Sequence, residues 1–168
     1  MKNQIEPSFL QIVEENKENI YRICNVYSVS PIEPQDLFQE VIYQVWRSLP
    51  SFKGNSGINT WVYKIAINVC YTSKIRLEKK NLNFVRLDSI KFIAAETSPD
   101  KDQQEKYDVL KSCISSLSES DKTIVVLSLE ELPYKEIAEI TGLTENHVAV
   151  KMKRIKKILL KCITRKLK

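Results

Sequence analysis

The chain has 168 residues, 26 of them Lys or Arg and 21 Asp or Glu, for a formal charge of +5, and 43% are hydrophobic, enough to build a core in one domain or two small ones. Only three glycines occur, Gly54, Gly57 and Gly142, which argues against Rossmann and P-loop nucleotide folds and against turn-rich all-β folds. No apolar run is long enough for a membrane span and no leader-like start is visible, so a cytoplasmic protein without membrane insertion is the expectation.

Phe9, Ile12, Val13, Ile20, Ile23, Cys24 and Tyr27 recur at three- and four-residue steps and predict an amphipathic helix closed by Pro31 and Pro34. Pro34 suits the first turn of a second helix, on which Leu37, Val41, Val45 and Leu49 share a face up to Pro50. Residues 51–57 form a turn-rich loop. A third helix carries Ile58, Trp61, Val62, Ile65 and Val69 and ends near Lys80. Periodicity then fades, acids gather and Ser98-Pro99 occurs, so residues 81–104 are predicted to be a flexible linker.

The second module, 105–168, opens on Tyr107, Leu110, Cys113, Ile114 and Leu117. Ser118 and Asp121 have capping-box spacing, and Ile124, Val125, Leu127 and Leu129 fill the next helix. A short helix with Tyr134, Ile137, Ala138 and Ile140 follows Pro133 and stops at Gly142. Thr144 stands where an N-cap is wanted, and a long basic helix follows. No segment shows sustained strand alternation, so the predicted fold class is all-α: module 5–80, linker 81–104, module 105–168.

Charge is segregated. Residues 1–40 hold three bases against seven acids, while residues 132–168 hold ten bases against three acids. That separation fits a polyanion partner and equally a solvated charged face. Four cysteines lie far apart with no Cys-x-x-Cys pair, so zinc is not expected, and reduced thiols packed as small hydrophobes are. The single histidine, His147, has no nucleophile signature beside it, so no catalytic residue, metal site or cofactor is expected.

Residues 133–160 read as helix, glycine turn, helix, an arrangement suited to DNA or, more plainly, to a basic helical hairpin. With Val148, Met152, Ile155 and Leu159 inward, Asn146, His147, Ala149, Val150, Lys151, Lys153 and Arg154 face outward or flank. The N-terminal turns of such a helix reach base edges and its cations reach phosphates. Upstream, Phe52 and Lys53 of the loop and Asn59, Thr60, Trp61, Tyr63, Lys64 and Asn68 mix rings, amides and cations as single-stranded DNA demands. Trp61 and Phe52 could equally be core.

The order of motifs resembles a known family. Asp36-Leu37-Phe38-Gln39-Glu40, Val45-Trp46 and Thr60 through Asn68 resemble region 2 of bacterial RNA polymerase sigma factors; Leu132 through Gly142 resembles region 4. The direct connection resembles the extracytoplasmic-function (ECF) group. The resemblance implies that Asp36, Leu37, Gln39 and Glu40 dock on the β′ clamp helices of core RNA polymerase. It implies that Phe52, Lys53, Asn55 and Ser56 of the loop, with Trp61, Lys64 and Asn68, open and read the −10 element. It implies that the helix with Thr144, Asn146, His147, Ala149, Val150, Lys151, Lys153 and Arg154 reads the −35 element, its other faces meeting the β flap. Core polymerase and promoter DNA are the implied partners, and the family makes an anti-sigma protein a plausible third. Ala149 and Val150 can meet a thymine methyl and cannot hold guanine by a bidentate bond, so a promoter sequence does not transfer from other members. The rival expectation is a free-standing helix-turn-helix regulator that never joins polymerase.

Overall fold

The computed structural model describes residues 7–81 and 100–168. Among them are seven α-helices and no strand: α1 Phe9–Tyr27, α2 Pro34–Ser48, α3 Ile58–Asn81, α4 Lys101–Ser115, α5 Glu119–Leu129, α6 Tyr134–Thr141 and α7 Glu145–Lys166, with a 3₁₀ turn at Leu49–Ser51 after α2. The helices α1, α2 and α3 pack on one another as one lobe, and α4 to α7 as a second.

The caps explain where the helices start. Ser8 Oγ accepts from Gln11 N at 3.3 Å to open α1, Ser118 Oγ accepts from Asp121 N at 3.3 Å to open α5, and Thr144 Oγ1 accepts from His147 N at 3.1 Å to open α7. Gly142 ends α6 in the left-handed region, φ 75°, where any side chain would be strained. Inward faces follow the predicted stripes: Ile12, Ile20, Ile23 and Cys24 of α1 meet Leu37, Val41 and Val45 of α2 and Val62, Ala66 and Cys70 of α3. In the second lobe Ile114, Ile124, Leu127, Ile137, Val148, Met152 and Ile155 close the core.

Three expectations need correction. First, α4 begins at Lys101, so residues 101–104 belong to the second lobe rather than to a linker. They show no apolar period because the helix start is exposed and is held by pairs along its own surface, Lys106–Asp102 at 2.6 Å and Gln104–Asp108 at 2.9 Å. The rest of the predicted linker, 82–99, lies outside the described residues. Second, Leu129 is exposed: it is the final residue of α5 and points away from the core that Val126 and Leu127 of the same turn enter. Third, the cysteines are not all reduced: Cys113 and Cys162 form a disulfide, while Cys24 and Cys70 are free and buried. The sequence separation of 49 between Cys113 and Cys162 hides a pairing that exists only once α7 lies along α4.

The two lobes touch. Arg22 of α1 pairs with Glu130 at 2.8 Å, Asn25 donates to the Tyr107 hydroxyl at 2.6 Å, and the hydroxyls of Tyr27 and Thr123 lie 2.9 Å apart. Thr60 of α3 donates to Glu136 of α6 at 3.1 Å. Lys74 of α3 pairs with Glu119 of α5, and Lys122 lies 3.3 Å from the same carboxylate with its ammonium 5.7 Å from the centre of the Tyr27 ring.

Candidate nucleic-acid interface

The helix-turn-helix is built as the sequence predicts. The turn through Gly142 and Leu143 brings α7 across α6, and Val148, Met152 and Ile155 fix which side faces inward. That leaves Thr144, Asn146, His147, Val150, Lys153 and Arg154 exposed and Ala149 and Lys151 half-buried, a continuous strip over the first turns of α7. An amide, an imidazole and a valine are thus exposed on the first turns of the helix, and the exposed cations Lys153, Lys156 and Lys157 follow them along it.

Two cations of this strip are already employed. Arg154 Nη2 donates to both carboxylate oxygens of Asp121, at 2.9 and 2.7 Å, and Lys151 Nζ donates to Asp121 Oδ1 at 3.3 Å and to Ser120 Oγ at 3.1 Å. The Asp121 side chain is only 8% exposed, whereas that of Arg154 is 57% exposed. The capping-box spacing therefore hid a different role. Ser118 caps α5 through the Asp121 amide, and the Asp121 carboxylate turns to α7 and clasps that helix.

In the first lobe Lys53 and Asn55 are exposed on either side of Gly54, and Lys64 and Asn68 stand one turn apart on the outer face of α3. Phe52 and Trp61 lie ring against ring, centroids 5.0 Å apart and both half-buried, and Ser56 of the loop is half-buried too. Neither pure core nor pure surface describes these rings: they pack on each other at the foot of the loop and keep an open edge. The loop and α3 meet through these rings, and three neighbouring polar side chains have partners within the protein. Asn59 accepts from Asn16 at 3.0 Å, Thr60 is committed to Glu136, and the Tyr63 hydroxyl accepts from Asn19 at 2.8 Å.

On α2, Asp36, Gln39 and Glu40 are exposed. Leu37 is 3% exposed and faces α1 and α3, so it holds the helix in place and offers no surface to a partner. What sequence reasoning missed is the other side of that helix. Tyr43 and Trp46, the latter 57% exposed, stand beside Phe38 and Ile42 over an apolar furrow shared with Phe9. The signal was present: Phe38, Ile42 and Trp46 repeat every four residues beside the core stripe of Leu37, Val41 and Val45.

Electrostatics between the lobes are uneven. Burial pushes the Lys122 ammonium below its usual range, while the Glu119 carboxylate beside Lys74 raises that lysine. Burial alone would raise Glu119, but the two lysines outweigh it and hold the carboxylate below its usual range. Desolvation raises the Tyr27 phenol strongly. Among the described residues no cluster of His, Cys, Asp and Glu could hold a metal, and no helix is long and apolar enough to cross a membrane.

Comparison with known proteins agrees with the two lobes. The family model for sigma-70 region 2 matches residues 12–80, and the model for sigma-70 region 4 matches residues 107–159. RNA polymerase sigma factor SigV of Bacillus subtilis is 28% identical over 148 residues, covering 88% of this chain and 86% of that protein. ECF RNA polymerase sigma factor SigW of the same organism is 25% identical over 174 residues, covering 96% and 91%. Among solved structures, the sigma factor RpoE in complex with the anti-sigma factor NepR from Bartonella quintana shares the fold with a TM-score of 0.73 at 18% identity, over 93% of this chain and 96% of that one. The match to region 2 disfavours a free-standing helix-turn-helix regulator. With both regions present in order and relatives aligned along nearly the whole chain, this protein belongs to the sigma-70 family, in its ECF group, and is a sigma factor of promoter-directed transcription.

Proposed function

We infer that the two lobes divide the work of initiation on core RNA polymerase, which supplies the chemistry while this chain supplies binding alone. Asp36, Gln39 and Glu40 present acceptors and negative charge to the β′ clamp helices, and the furrow under Tyr43 and Trp46 adds apolar area beside them. The Lys53–Asn55 loop, the open edges of Phe52 and Trp61, and Lys64 with Asn68 hold unstacked −10 bases, each base–ring stack contributing ~1–3 kcal/mol. The first turns of α7 enter the major groove at the −35 element. Thr144 frames the helix N-terminus toward a phosphate, Asn146 and His147 reach base edges, Ala149 and Val150 meet methyl groups, and Lys153 steers to the backbone.

The observation that carries this reading is the strip of Asn146, His147 and Val150, exposed at the start of a helix whose opposite side is fully buried. Elements 25 base pairs apart lie ~85 Å apart along B-DNA at ~3.4 Å per pair. The lobes touch here, so binding both elements requires that they part. The named contacts between them are polar, as in interfaces that open. Gel filtration with purified core polymerase, followed by binding to forked promoter DNA, tests the division. Co-elution and preferential retention of forked over random DNA are expected; a chain that elutes apart from polymerase contradicts it.

A further inference from the structure

The four thiols fall into two pairs that differ in the properties governing thiol chemistry. Cys24 of α1 and Cys70 of α3 are at most 1% exposed and closed to solvent reagents, and the hydrogen bond from Cys24 together with burial pushes the Cys70 thiol far up. Cys113 of α4 and Cys162 of α7 are joined, with Cα atoms 6.0 Å apart, inside the ~4.4–6.8 Å that a disulfide spans. Cys162 is half-buried on the outer part of α7. There the apolar stripe of Val148, Met152 and Ile155 has thinned to half-buried Leu159 and Ile163, and the sulfur bridge fastens this part of α7 to α4. Lys161, Arg165 and Lys166 surround it in sequence, and Lys166 Nζ donates to Ser112 Oγ at 2.5 Å, beside Cys113. Cations favour the thiolate and attract anionic thiol compounds.

We propose that Cys113 and Cys162 are a reversible dithiol site that reacts with a low-molecular-weight disulfide, and that its oxidation state sets how firmly the outer half of α7 is held on α4. The exchange balances without another reactant. The more exposed Cys162 thiolate attacks one sulfur of the small disulfide and expels one thiolate, giving a mixed disulfide. Cys113 gives its proton to solvent, attacks the Cys162 sulfur and expels the second thiolate. Two electrons pass from the protein to the small disulfide, which leaves as two thiols; an excess of small thiol runs the sequence backwards. Because α7 begins as the reading helix, the fastened form presents a better-ordered helix to duplex DNA, a consequence that rests on the −35 reading above.

The test uses the full chain in glutathione buffers from fully reduced to fully oxidised, followed by alkylation under denaturing conditions and peptide mass mapping. Oxidised buffer is expected to yield a Cys113–Cys162 linked peptide with Cys24 and Cys70 alkylated. Trypsin is expected to cut after Lys161 and Arg165 at least about threefold faster in the reduced protein, since a less firmly held helix end opens more often. Cys162→Ser is expected to cut at the reduced rate in both buffers. Singly glutathionylated protein without the linked peptide, linkage to Cys24 or Cys70, or equal cutting rates would overturn the proposal. Duplex −35 DNA is expected to bind the oxidised form several-fold more tightly. Equal, tight binding by both forms overturns the coupling to DNA and leaves the −35 reading standing; no binding by either overturns the −35 reading, while linkage and cleavage still judge the dithiol site.

Discussion

Replacing Arg154 separates two roles that one side chain holds. In Arg154→Ala the Asp121 carboxylate, 8% exposed, loses two of its three hydrogen bonds from α7 and keeps only Lys151 at 3.3 Å. A buried charge stripped of its partner costs ~3–5 kcal/mol. Here solvent reaches Arg154, which is 57% exposed, and Lys151 remains, so the loss should be about 1–2 kcal/mol. With a urea m-value of ~2 kcal/mol/M, the middle of the usual range, the midpoint should fall by roughly 0.5–1 M. The assay is urea unfolding followed by helical circular dichroism, run as a double-mutant cycle with Asp121→Ala. The clasp predicts that the double variant loses less than the two single losses added, by about 1 kcal/mol. Additive losses, or an unchanged midpoint in Arg154→Ala, would refute the clasp. A larger fall in −35 binding for Arg154→Ala than for Asp121→Ala, measured where both proteins are fully folded, would then report DNA contact beyond the clasp.

Other substitutions probe separate parts of the account. Leu37→Ala should cost ~2–5 kcal/mol of stability by opening a cavity, while Asp36→Arg should leave the melting temperature unchanged and weaken core polymerase binding in a pull-down titration. Trp46→Ala, on an exposed ring, should likewise spare stability and weaken polymerase binding. Lys153→Ala should reduce the slope of log affinity against log salt for −35 duplex by about 0.9, read by fluorescence anisotropy. Acid should weaken the lobe contact through Glu119. Its folded pKa lies below the ordinary 4.5, so its contribution is fully present above that value and is lost as pH falls through the folded pKa. Glu119→Gln should flatten the acid limb of stability against pH, with Lys74 losing its partner in the same variant. Reducing the Cys113–Cys162 bridge should lower stability by up to about 4 kcal/mol, from the entropy of closing a loop of 49 residues, read by urea unfolding with and without reductant.

How much of this was legible in the sequence depended on whether the cause was local. Helix faces repeat every three or four residues, so the stripes of α1, α2 and α7 could be read directly, and Thr144 and Gly142 carry their cap and turn chemistry in single residues. The start of α4 was not legible because its first turns are exposed and lack an apolar stripe. The Asp121 clasp and the Cys113 bridge join residues 33 and 49 positions apart, and nothing in either neighbourhood announces the partner. Leu37 shows the remaining ambiguity: a family motif marks a helix as a docking element, but only the packing tells which of its residues face the partner.

The central claim is that this chain rides on polymerase and chooses where RNA begins. Run-off transcription with purified core enzyme, on genomic fragments with and without the chain, tests it most directly. The account predicts discrete new start sites that appear only when the chain is present, and that weaken when Lys64 and Asn68 are replaced by alanine in a stably folded protein. Identical transcripts in both reactions would contradict it.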